Sequence, residues 1–534
     1  MTRLAWRDTR LSIFNAQGLL LALMGLGLAL FYWGGALAPA LLGLAIFGAL
    51  ALLRPDLGLL FVPLAAPLYL IPAAIGGIRA EPFLLPLHEA ALLVVGGATA
   101  AGWLWRRFAG PRPPTGDRPA IAALARHYAP HALFLAAGAL GVLLAVERSR
   151  ALREFRWVVA EPLLFYALVK HQLGQRPTTS DETPPSDSTT DRWSLVFGPS
   201  PAFARNLLVA FVLSGALAGL LGLLQYIGLD LAPLLGRKQC FAPDGGPCAN
   251  IAVDGGLRRV LSVYGHPNNL GLYLGRVWPL AAALALGDQR RTTKDHMWQR
   301  LAFGLLSLVC LGGIVVSFSR GAWLGALAAA TVLALGMTKD ERPRTNERRN
   351  LWSLVFGRSS RWLLGLAVAL VVLAGLALSL RGDVTAGSTP IRLLLWREAL
   401  SYIGRHPLGI GLDQFGFYHD PGSGLSLIDP SLIGSSDQYA AHPHNLLLDI
   451  WLRLGPLGLI ALGWLLLRFV RASARRISSA SPGLARPIAL GALAAMVAAL
   501  AHGLVDNFYF IPDLALSFWL LIALAETCGT DLAG

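Results

Sequence analysis

Three short segments of this chain carry the side chains best suited to chemistry. HNLLLDIWLRLGPLG begins with His444 and Asn445, and nine residues separate that pair from Gly455. SFSRGAWLG places Arg320 between two apolar runs, and LRRVLSVYGHPNN contains Arg258 and Arg259. An imidazole accepts a proton near neutral pH, and planar guanidinium groups hold phosphate oxygens through paired charge-assisted hydrogen bonds. These residue types predict a histidine base beside an arginine-lined phosphate site.

Each candidate also has a purely structural interpretation, which the sequence leaves open. Arg320 could extend from a tight turn to the membrane interface. Arg276 follows Asn268 within an apolar run, roughly 12 Å deeper at about 1.5 Å per helical residue. At that depth an arginine must face protein, water or phosphate. The structural alternative for Arg276 is an internal salt bridge, with Glu89 or Glu161 as partner.

The composition indicates a membrane protein. Of 534 residues, 55% are hydrophobic and only 14% are charged, which excludes a disordered chain and an ordinary water-soluble globule. The net charge of +14 could suggest nucleic acid, but the basic residues lie mostly in short spacers between apolar runs. The 4 cysteines are too scattered for a disulfide framework or a zinc site. Cys240 and Cys248 lie close together and are predicted outside, where oxidation would allow them to pair.

About fourteen apolar runs are long enough to span a bilayer, which needs roughly 20 helical residues. The first is expected to remain in the protein, because further apolar segments follow it at once. The sequence therefore predicts an all-α, polytopic transmembrane bundle of twelve to fourteen helices. The runs cover residues 18–35, 36–53, 57–76, 83–105, 131–146, 155–170, 206–228, 268–287, 301–318, 320–337, 362–380, 445–469, 486–504 and 511–526.

Basic spacers predict the orientation, because positive loops stay in the cytoplasm. With the N terminus inside, the inside spacers include 106–126, 289–300, 339–361 and 468–486, all rich in arginine or lysine. Both termini are then cytoplasmic. The spacer 147–156 does not fit this orientation, because the alternation of spans places its arginines outside. Either the runs beside it are misread, or those arginines meet an anionic ligand.

Two long spacers suggest a division of the chain. We expect N-terminal transmembrane helices over 1–170, a polar cytoplasmic linker over 171–205 that cannot fold by itself, and a second transmembrane domain over 206–526. Within that domain, residues 381–443 form a large external loop with apolar residues at helical spacing. Residues 527–534 are a cytoplasmic tail.

The three segments, together with RLLLWREALSYIGRHPLGIGLDQF, resemble the O-antigen ligase and O-antigen polymerase superfamily of bacterial membrane glycosyltransferases. The resemblance covers roughly residues 205–526, whereas the first 200 residues carry no such signature. The pattern of His, Asn, nine residues, Gly, two residues and a small residue is similar to that of the ligases. Family members have about twelve spans and a large periplasmic loop ahead of the last three helices. The resemblance thus implies a GT-C-like bundle whose external loop precedes the last three spans.

The resemblance also implies an activity, namely metal-independent, inverting transfer of a glycan from a polyprenyl (undecaprenyl) diphosphate to an acceptor hydroxyl. The acceptor would be lipid A-core, in lipopolysaccharide biosynthesis, or another surface glycan, on the outer side of the bacterial inner membrane. No cofactor, nucleotide sugar or nucleic acid is implied. His444 maps onto the family's catalytic histidine, and Arg259 and Arg320 onto its diphosphate-binding arginines. Further candidates around these positions are Arg258, Arg276, His442 and Asn445.

Other functions stay open at this stage. An O-antigen polymerase or a protein O-oligosaccharyltransferase would use the same residues on a different acceptor. A transporter for a small anion such as bicarbonate is an alternative of another class, and a structural membrane protein is a third. Asp413, Asp420 and Asp437 keep a metal ion from being excluded. If the chain is a glycosyltransferase, His444, Arg259 and Arg320 should border one outward-facing cavity.

Overall fold

The structure is a computed structural model that describes residues 2–73, 85–108, 121–174, 202–236, 238, 251–254, 257–287, 294–338, 388–478 and 484–527. Several sequence expectations lie outside these residues. They are the apolar run 362–380, the linker from residue 175 to 201, the pairing of Cys240 with Cys248, and the tail from residue 528 onward.

The described chain is almost entirely helical, which confirms the predicted all-α bundle. Nine of the described helices are long and apolar enough to cross a membrane. In chain order the helices are α1 (Thr2–Trp33), α2 (Leu37–Leu53), α3 (Pro55–Leu59), α4 (Phe61–Ala65), α5 (Leu87–Phe108), α6 (Ile121–Leu144), α7 (Arg148–Glu154), α8 (Glu161–Gly174), α9 (Phe203–Tyr226), α10 (Pro267–Leu286), α11 (Lys294–Val316), α12 (Arg320–Thr338), α13 (Ser388–Arg405), α14 (Phe415–His419), α15 (Leu446–Ser478), α16 (Ala485–Gly503) and α17 (Pro512–Thr527). A small antiparallel hairpin, β1 (Ile251–Asp254) and β2 (Leu257–Val260), was not predicted.

Two predicted runs differ in shape from simple spans. The run 57–76 is divided among α3, α4 and a 3-10 turn at Ala66–Leu68, and prolines lie near each break. The run 155–170 begins with a π-helical turn, Phe155–Ala160, which joins α7 to α8. A π turn of this kind changes the direction of the following side chains, and such turns are frequent near functional sites.

Helix α10 lies at the centre of the bundle, packed against α9, α11, α12 and α16. Close approach depends on small residues. A Cβ atom at Gly271 would lie 2.6 Å from the Cβ of Ala322 on α12. A Cβ at Gly325 of α12 would lie 2.7 Å from the carbonyl oxygen of Ala498 on α16. The first turns of α10 and α12 and the last turn of α16 therefore meet at one end of the bundle.

Residues 388–443 of the predicted external loop form a helical cap over this end. Its apolar core joins α13 and α14 to α15 through Leu395, Tyr402, Phe415 and Leu452. A buried ion pair fixes the cap's interior, with His419 Nδ1 2.8 Å from Glu398 Oε2. Burial alone would lower the pKa of His419, but Glu398 raises it above its usual value.

Helix α15 is broken at Gly455, and the break lets the cap dock. Gly455 has φ +66° and ψ −168°, values that a helical residue does not take. A side chain there would collide with the carbonyl oxygen of Leu408 in the cap. The backbone N–H groups of Ile410 and Gly411 donate to the carbonyl oxygen of Leu452, at 2.7 and 3.1 Å. The glycine that closes the His444 motif thus fixes the cap to the helix that follows the histidine.

Candidate functional site

His444 lies between the cap and the first turn of α15. Its backbone has φ +52°, a left-handed conformation that is strained for a residue with a side chain. Its Nδ1 lies 3.2 Å from Oδ1 of Asp506, and 25% of its side chain is exposed. Because Nδ1 is engaged by Asp506, Nε2 is the ring nitrogen left to accept a proton.

Asp506 lies in the short connection between α16 and α17. It is the centre of a polar cluster that includes His444, Asn268 and Arg259. Its side chain is only 3% exposed. Oδ2 accepts a hydrogen bond from Asn268 Nδ2 at 2.5 Å, and Oδ1 also accepts one from the backbone N–H of Asn507 at 2.8 Å. Burial alone would raise the pKa of Asp506, but the imidazole of His444 and its hydrogen bond hold that pKa well below the usual range. Asp506 is therefore a carboxylate that orients His444.

Arg259 reaches the same cluster from the hairpin. Its Nη2 donates to Oδ1 of Asn268 at 3.0 Å, and its Nε donates to the carbonyl oxygen of Ser317 at 3.2 Å. Side chains alternate between the two faces of a strand, so the neighbouring Arg258 points away and is exposed. The structure thus distinguishes the two adjacent arginines, which the sequence could not.

Arg320 is the first residue of α12, at the same end of the bundle. The preceding turn is fixed by Ser319, whose Oγ lies 3.3 Å from His502 Nε2. Phe318 within that turn has φ +49°. Arg320 is half-buried and feels electrostatic repulsion from Arg392 of the cap helix α13. Two cations therefore lie near each other at the end of the bundle that the cap covers, which we call the mouth of the bundle.

Helix ends reinforce this positive potential. Helices α10, α12 and α15 all begin around the cluster, and a helix N terminus carries a partial positive charge with unpaired N–H groups. Such ends attract anions. His266 precedes α10 and caps it, since its Nδ1 accepts a hydrogen bond from the backbone N–H of Asn268 at 3.1 Å. Burial lowers the pKa of His266 to about 4, so it is a neutral acceptor.

Two weaker candidates have mainly internal contacts. Asn445 caps α15, because its Oδ1 accepts hydrogen bonds from the backbone N–H groups of Leu447 and Leu448 at 3.0 and 3.2 Å. Its Nδ2 donates to the carbonyl oxygen of Leu504 at 3.1 Å. His442 accepts a hydrogen bond from the backbone N–H of His444 at 3.2 Å, which helps to fix the strained turn. Burial, followed by the neighbouring His444, holds the pKa of His442 well below its usual value.

Arg276 does not form the predicted salt bridge. It is buried and donates to the carbonyl oxygens of Leu272, at 2.7 Å, and of Phe508. Glu89 and Glu161 instead pair with Arg156, at 3.3 and 3.4 Å. Since α10 is central and Phe508 lies in the connection that carries Asp506, Arg276 anchors that connection to the bundle.

The spacer 147–156, which does not fit the predicted orientation, has several charged residues that pair with other residues of the protein. Arg153 lies 3.6 Å from Asp413 of the cap, and Arg156 belongs to the cluster with Glu89 and Glu161. Glu154 pairs with Arg453 of α15, which also pairs with Asp449 at 2.7 Å. The spacer therefore supports the cap.

The first arginines of the same spacer are different. Arg148 and Arg150 are exposed, and no ion pair to a described residue is seen for them.

The cluster also contains a set of donors that could in principle hold a metal ion. One ligand atom each from His442, His444 and Asp506 lie within 4.8 Å of one another. The surrounding charges disfavour a cation. Arg392 lies 3.9 Å from the carboxylate of Asp506, and Arg259 donates to Asn268, which is hydrogen-bonded to the same carboxylate. The electrostatics of the mouth are those of an anion site.

Sequence reasoning missed three residues of this cluster: Asp506, Arg392 and His502. Asp506 occurs in the segment LVDNFYF, between the last two spans and 62 positions after His444. The available signal was an acidic residue at the end of an apolar span, because a carboxylate near a membrane usually has a partner. Arg392 occurs in the quoted segment RLLLWRE, where its charge at the start of an amphipathic helix gave no indication of its target.

The folded chain joins a buried carboxylate to a partly exposed imidazole beside several guanidinium groups. The carboxylate fixes the imidazole, whose second nitrogen can take a proton from a hydroxyl group. The guanidinium groups and helix ends can stabilise negative charge on a phosphate. This arrangement suits the transfer of a group away from a phosphate leaving group.

Residues 305–463 match a protein-family model described as O-antigen ligase. The matched range includes Arg320, Arg392 and His444, and it confirms the resemblance over those residues, whereas Arg259 lies outside it. A search of curated proteins found no significant match to this chain.

Proposed function

We propose that this multi-pass membrane protein is a glycan ligase, and the match of residues 305–463 to the O-antigen ligase family model supports that proposal. It would move a glycan from a polyprenyl diphosphate to an acceptor hydroxyl. The donor diphosphate binds at the arginine-lined mouth of the bundle, and the polyprenyl chain extends into the lipid beside it. A metal ion or a nucleotide sugar takes no part in this scheme.

Arg259 and Arg320 are the proposed diphosphate ligands. They come from separate elements, the hairpin and the start of α12, yet both reach the end of the bundle that carries Asp506 and His444. The planar fork of each guanidinium suits two phosphate oxygens. Repulsion among the arginines is relieved when an anion of two or more charges binds, which favours a diphosphate over a neutral lipid.

His444 is the proposed general base. As the acceptor oxygen attacks the anomeric carbon, the hydroxyl proton moves to Nε2 of His444. The bond between the anomeric carbon and the phosphate oxygen breaks, and the diphosphate leaves with the bonding electrons. The arginines stabilise the charge that develops on the leaving group, while Asp506 stabilises the imidazolium. Attack from the face opposite the diphosphate inverts the anomeric carbon.

The proposal depends mainly on one observation. His444 contacts Asp506, and Asp506 accepts a hydrogen bond from Asn268, which in turn accepts one from Arg259. Residues from four distant segments meet there around one carboxylate. A structural protein would have little need for a strained, partly exposed histidine at that point. The same geometry would serve a polymerase or a protein-glycosylating enzyme, and the linkage of the product distinguishes them.

The proposed topology follows from the basic spacers. The N and C termini lie in the cytoplasm, and the end of the bundle with the cap faces the periplasm, where lipid-linked glycans would meet their acceptors. The proposed location is the bacterial inner membrane. The proposed domain division places N-terminal helices before residue 171 and the ligase domain over 206–526, and α8 of the first part packs closely against α17 of the second.

A small-anion transporter has weaker support. Charged groups in and beside the bundle form ion pairs, Arg54 with Asp56 at 2.7 Å, Arg453 with Asp449 at 2.7 Å, and Arg156 with Glu89 at 3.3 Å, and the buried Arg276 is bound by backbone carbonyl oxygens. Charges already satisfied by ion pairs do not form a path for a transported anion.

The direct test is transfer in proteoliposomes that contain the purified protein, a polyprenyl diphosphate glycan and an acceptor glycolipid. We expect His444→Ala to abolish transfer while protein yield and melting temperature stay at wild-type values. His406→Ala is the matched control, because His406 is an exposed histidine of the same cap. Transfer by His444→Ala at the wild-type rate would exclude His444 as the base.

A further inference from the structure

Arg453 is a buried arginine of α15 that contacts four separate parts of the fold. Only 4% of its side chain is exposed. Its Nε donates to Oδ1 of Asp449, one turn earlier in α15, at 2.7 Å, and its Nη1 donates to Glu154 of α7. Its Nη2 donates to the carbonyl oxygen of Ala441 in the cap at 3.2 Å, and its Cζ lies 4.7 Å from the ring centre of Phe510. All three nitrogens and one face of the guanidinium are therefore engaged.

The contact with Ala441 supports the turn that carries His444. Ala441 directly precedes His442, whose Nδ1 accepts the hydrogen bond from the backbone N–H of His444 at 3.2 Å. The left-handed backbone of His444 is strained, and a strained conformation persists only where the surrounding contacts hold it. By holding the carbonyl oxygen of Ala441, the guanidinium fixes the start of this turn.

The contact with Phe510 supports the connection that carries Asp506. The backbone N–H of Phe510 donates to Oδ1 of Asn507 at 3.0 Å. Asn507 follows Asp506 directly, and its own backbone N–H donates to the carboxylate of Asp506 at 2.8 Å. A cation held over an aromatic ring is attracted most strongly when both are buried. The same guanidinium therefore fixes the segments on both sides of the contact between imidazole and carboxylate.

Glu154 holds Arg453 from the N-terminal part of the chain. It is the last residue of α7 and is buried. The other end of α7 is fixed to the cap, because the backbone N–H of Glu147 donates to Oε1 of Gln414 at 2.8 Å. A buried charge requires a partner, so the carboxylate and the guanidinium hold each other in place. Helices that lie outside the matched range 305–463 thus reach the histidine turn through this ion pair.

From this geometry we propose that Arg453 is a positioning residue, completed by Glu154, that keeps Asp506 beside His444 during transfer. The inference rests on the proposed function and extends it, since it gives the N-terminal helices a role in the reaction. Asp506 stabilises the imidazolium only if it lies beside Nδ1. A displacement of about 1 Å at such a contact slows a reaction by about 10²-fold. Loss of Arg453 should therefore slow transfer without weakening donor binding.

Arg468 is a matched control on the same helix. It also donates to a backbone carbonyl oxygen of a distant helix, that of His127 on α6, and it pairs with Glu526 of α17 at 3.0 Å. It lies about four turns beyond Arg453, far from the histidine turn. Arg468→Gln therefore reports what the loss of an arginine contact on α15 does to stability alone.

The experiment compares the rate of transfer in proteoliposomes at saturating donor with the affinity for polyprenyl diphosphate, measured by native mass spectrometry of the full-length protein. We expect Arg453→Gln to slow transfer by about 10²-fold with wild-type donor affinity. Arg453→Lys should recover part of the rate, because it keeps the charge but lacks the planar fork. Glu154→Gln should slow transfer by about tenfold, since glutamine keeps one acceptor oxygen. Arg468→Gln should transfer within about threefold of wild type.

A double-mutant cycle with Asp506→Asn tests the route of the effect. If Arg453 acts by keeping the carboxylate beside the imidazole, its loss matters little once the carboxylate is gone. Arg453→Gln should then slow the Asp506→Asn protein by less than about threefold, because mutations that act through one contact are not additive. A further loss of about 10²-fold in that background would overturn the proposal.

The remaining outcomes separate this inference from the function beneath it. Wild-type transfer by Arg453→Gln, with an inactive His444→Ala protein, would overturn the role of Arg453 alone. Slow transfer by Arg468→Gln to the same extent, with an equal fall in melting temperature, would also overturn it and assign Arg453 a purely structural role. Wild-type transfer by His444→Ala would overturn the proposed base. If Arg453→Gln does not fold, Arg453→Lys and Glu154→Gln provide the same comparisons.

Discussion

Replacing Asp506 by asparagine removes a charge and nearly preserves the shape of the side chain that orients His444. The carboxylate lies 3.2 Å from Nδ1 of His444 and 2.5 Å from Nδ2 of Asn268. Both neighbours donate hydrogen bonds to it. The amide of asparagine has one acceptor oxygen and one donor nitrogen, so it can satisfy one of these neighbours but not both.

The size of the effect follows from the charge. When His444 takes the acceptor's proton, it becomes a cation next to a buried anion. Two unit charges about 4 Å apart attract by about 4 kcal/mol at an effective dielectric constant of about 20. Because asparagine retains part of the hydrogen bonding, we take about 3 to 4 kcal/mol as the loss, which corresponds to about a 10²- to 10³-fold slower transfer step.

Transfer is measured in proteoliposomes at saturating donor, and diphosphate binding is measured separately. For Asp506→Asn we expect slow transfer with donor affinity unchanged or higher, because a negative charge close to the arginines of the proposed donor site has been removed. Asp420→Asn, at an exposed residue of the cap, is the control. Transfer by Asp506→Asn within about threefold of wild type would refute the reasoning, since a difference of that size is below the 1.36 kcal/mol that tenfold requires.

Three further predictions concern the cap, the metal and the topology. Glu398 raises the pKa of His419 against the effect of burial. The attraction between protonated His419 and Glu398 therefore stabilises the folded cap below about pH 6.5, and this stabilisation is lost as the pH rises through the raised pKa. His419→Gln should therefore lower the melting temperature more at pH 5.5 than at pH 8.5, and an equal loss at both would contradict the assignment. Transfer should persist after EDTA treatment, because guanidinium groups surround the donors of His442, His444 and Asp506; activity that is lost and then restored by Zn²⁺ would show a required metal. Tyr439→Cys, in a chain without its native cysteines, should react with a membrane-impermeant maleimide from the periplasmic side, and protection there would reverse the orientation.

Sequence patterns were sufficient for the helical bundle, because long apolar runs have a direct physical meaning in a bilayer. They also identified the segments that meet at the site. Arg259 could not be separated from Arg258 by composition, since the choice depends on which face of β2 points to Asn268. The hairpin itself is short and lies between spans, where periodicity gives little signal.

Long-range partners were the least predictable feature. Asp506 and His444 are 62 positions apart, and Arg453 and Glu154 are 299 positions apart. Pairing over such separations depends on the packing of the helices. The same reason explains the wrong partner for Arg276, whose donors are taken by carbonyl oxygens of the backbone. The break at Gly455 was likewise hidden, because its need for glycine comes from the approach of Leu408.

The most direct test of the central claim is a structure of the His444→Ala variant with a polyprenyl diphosphate glycan bound. We predict that the diphosphate contacts Arg259 and Arg320 and that the anomeric carbon faces position 444. A diphosphate bound elsewhere, for example beside the exposed Arg148 and Arg150, would contradict the account.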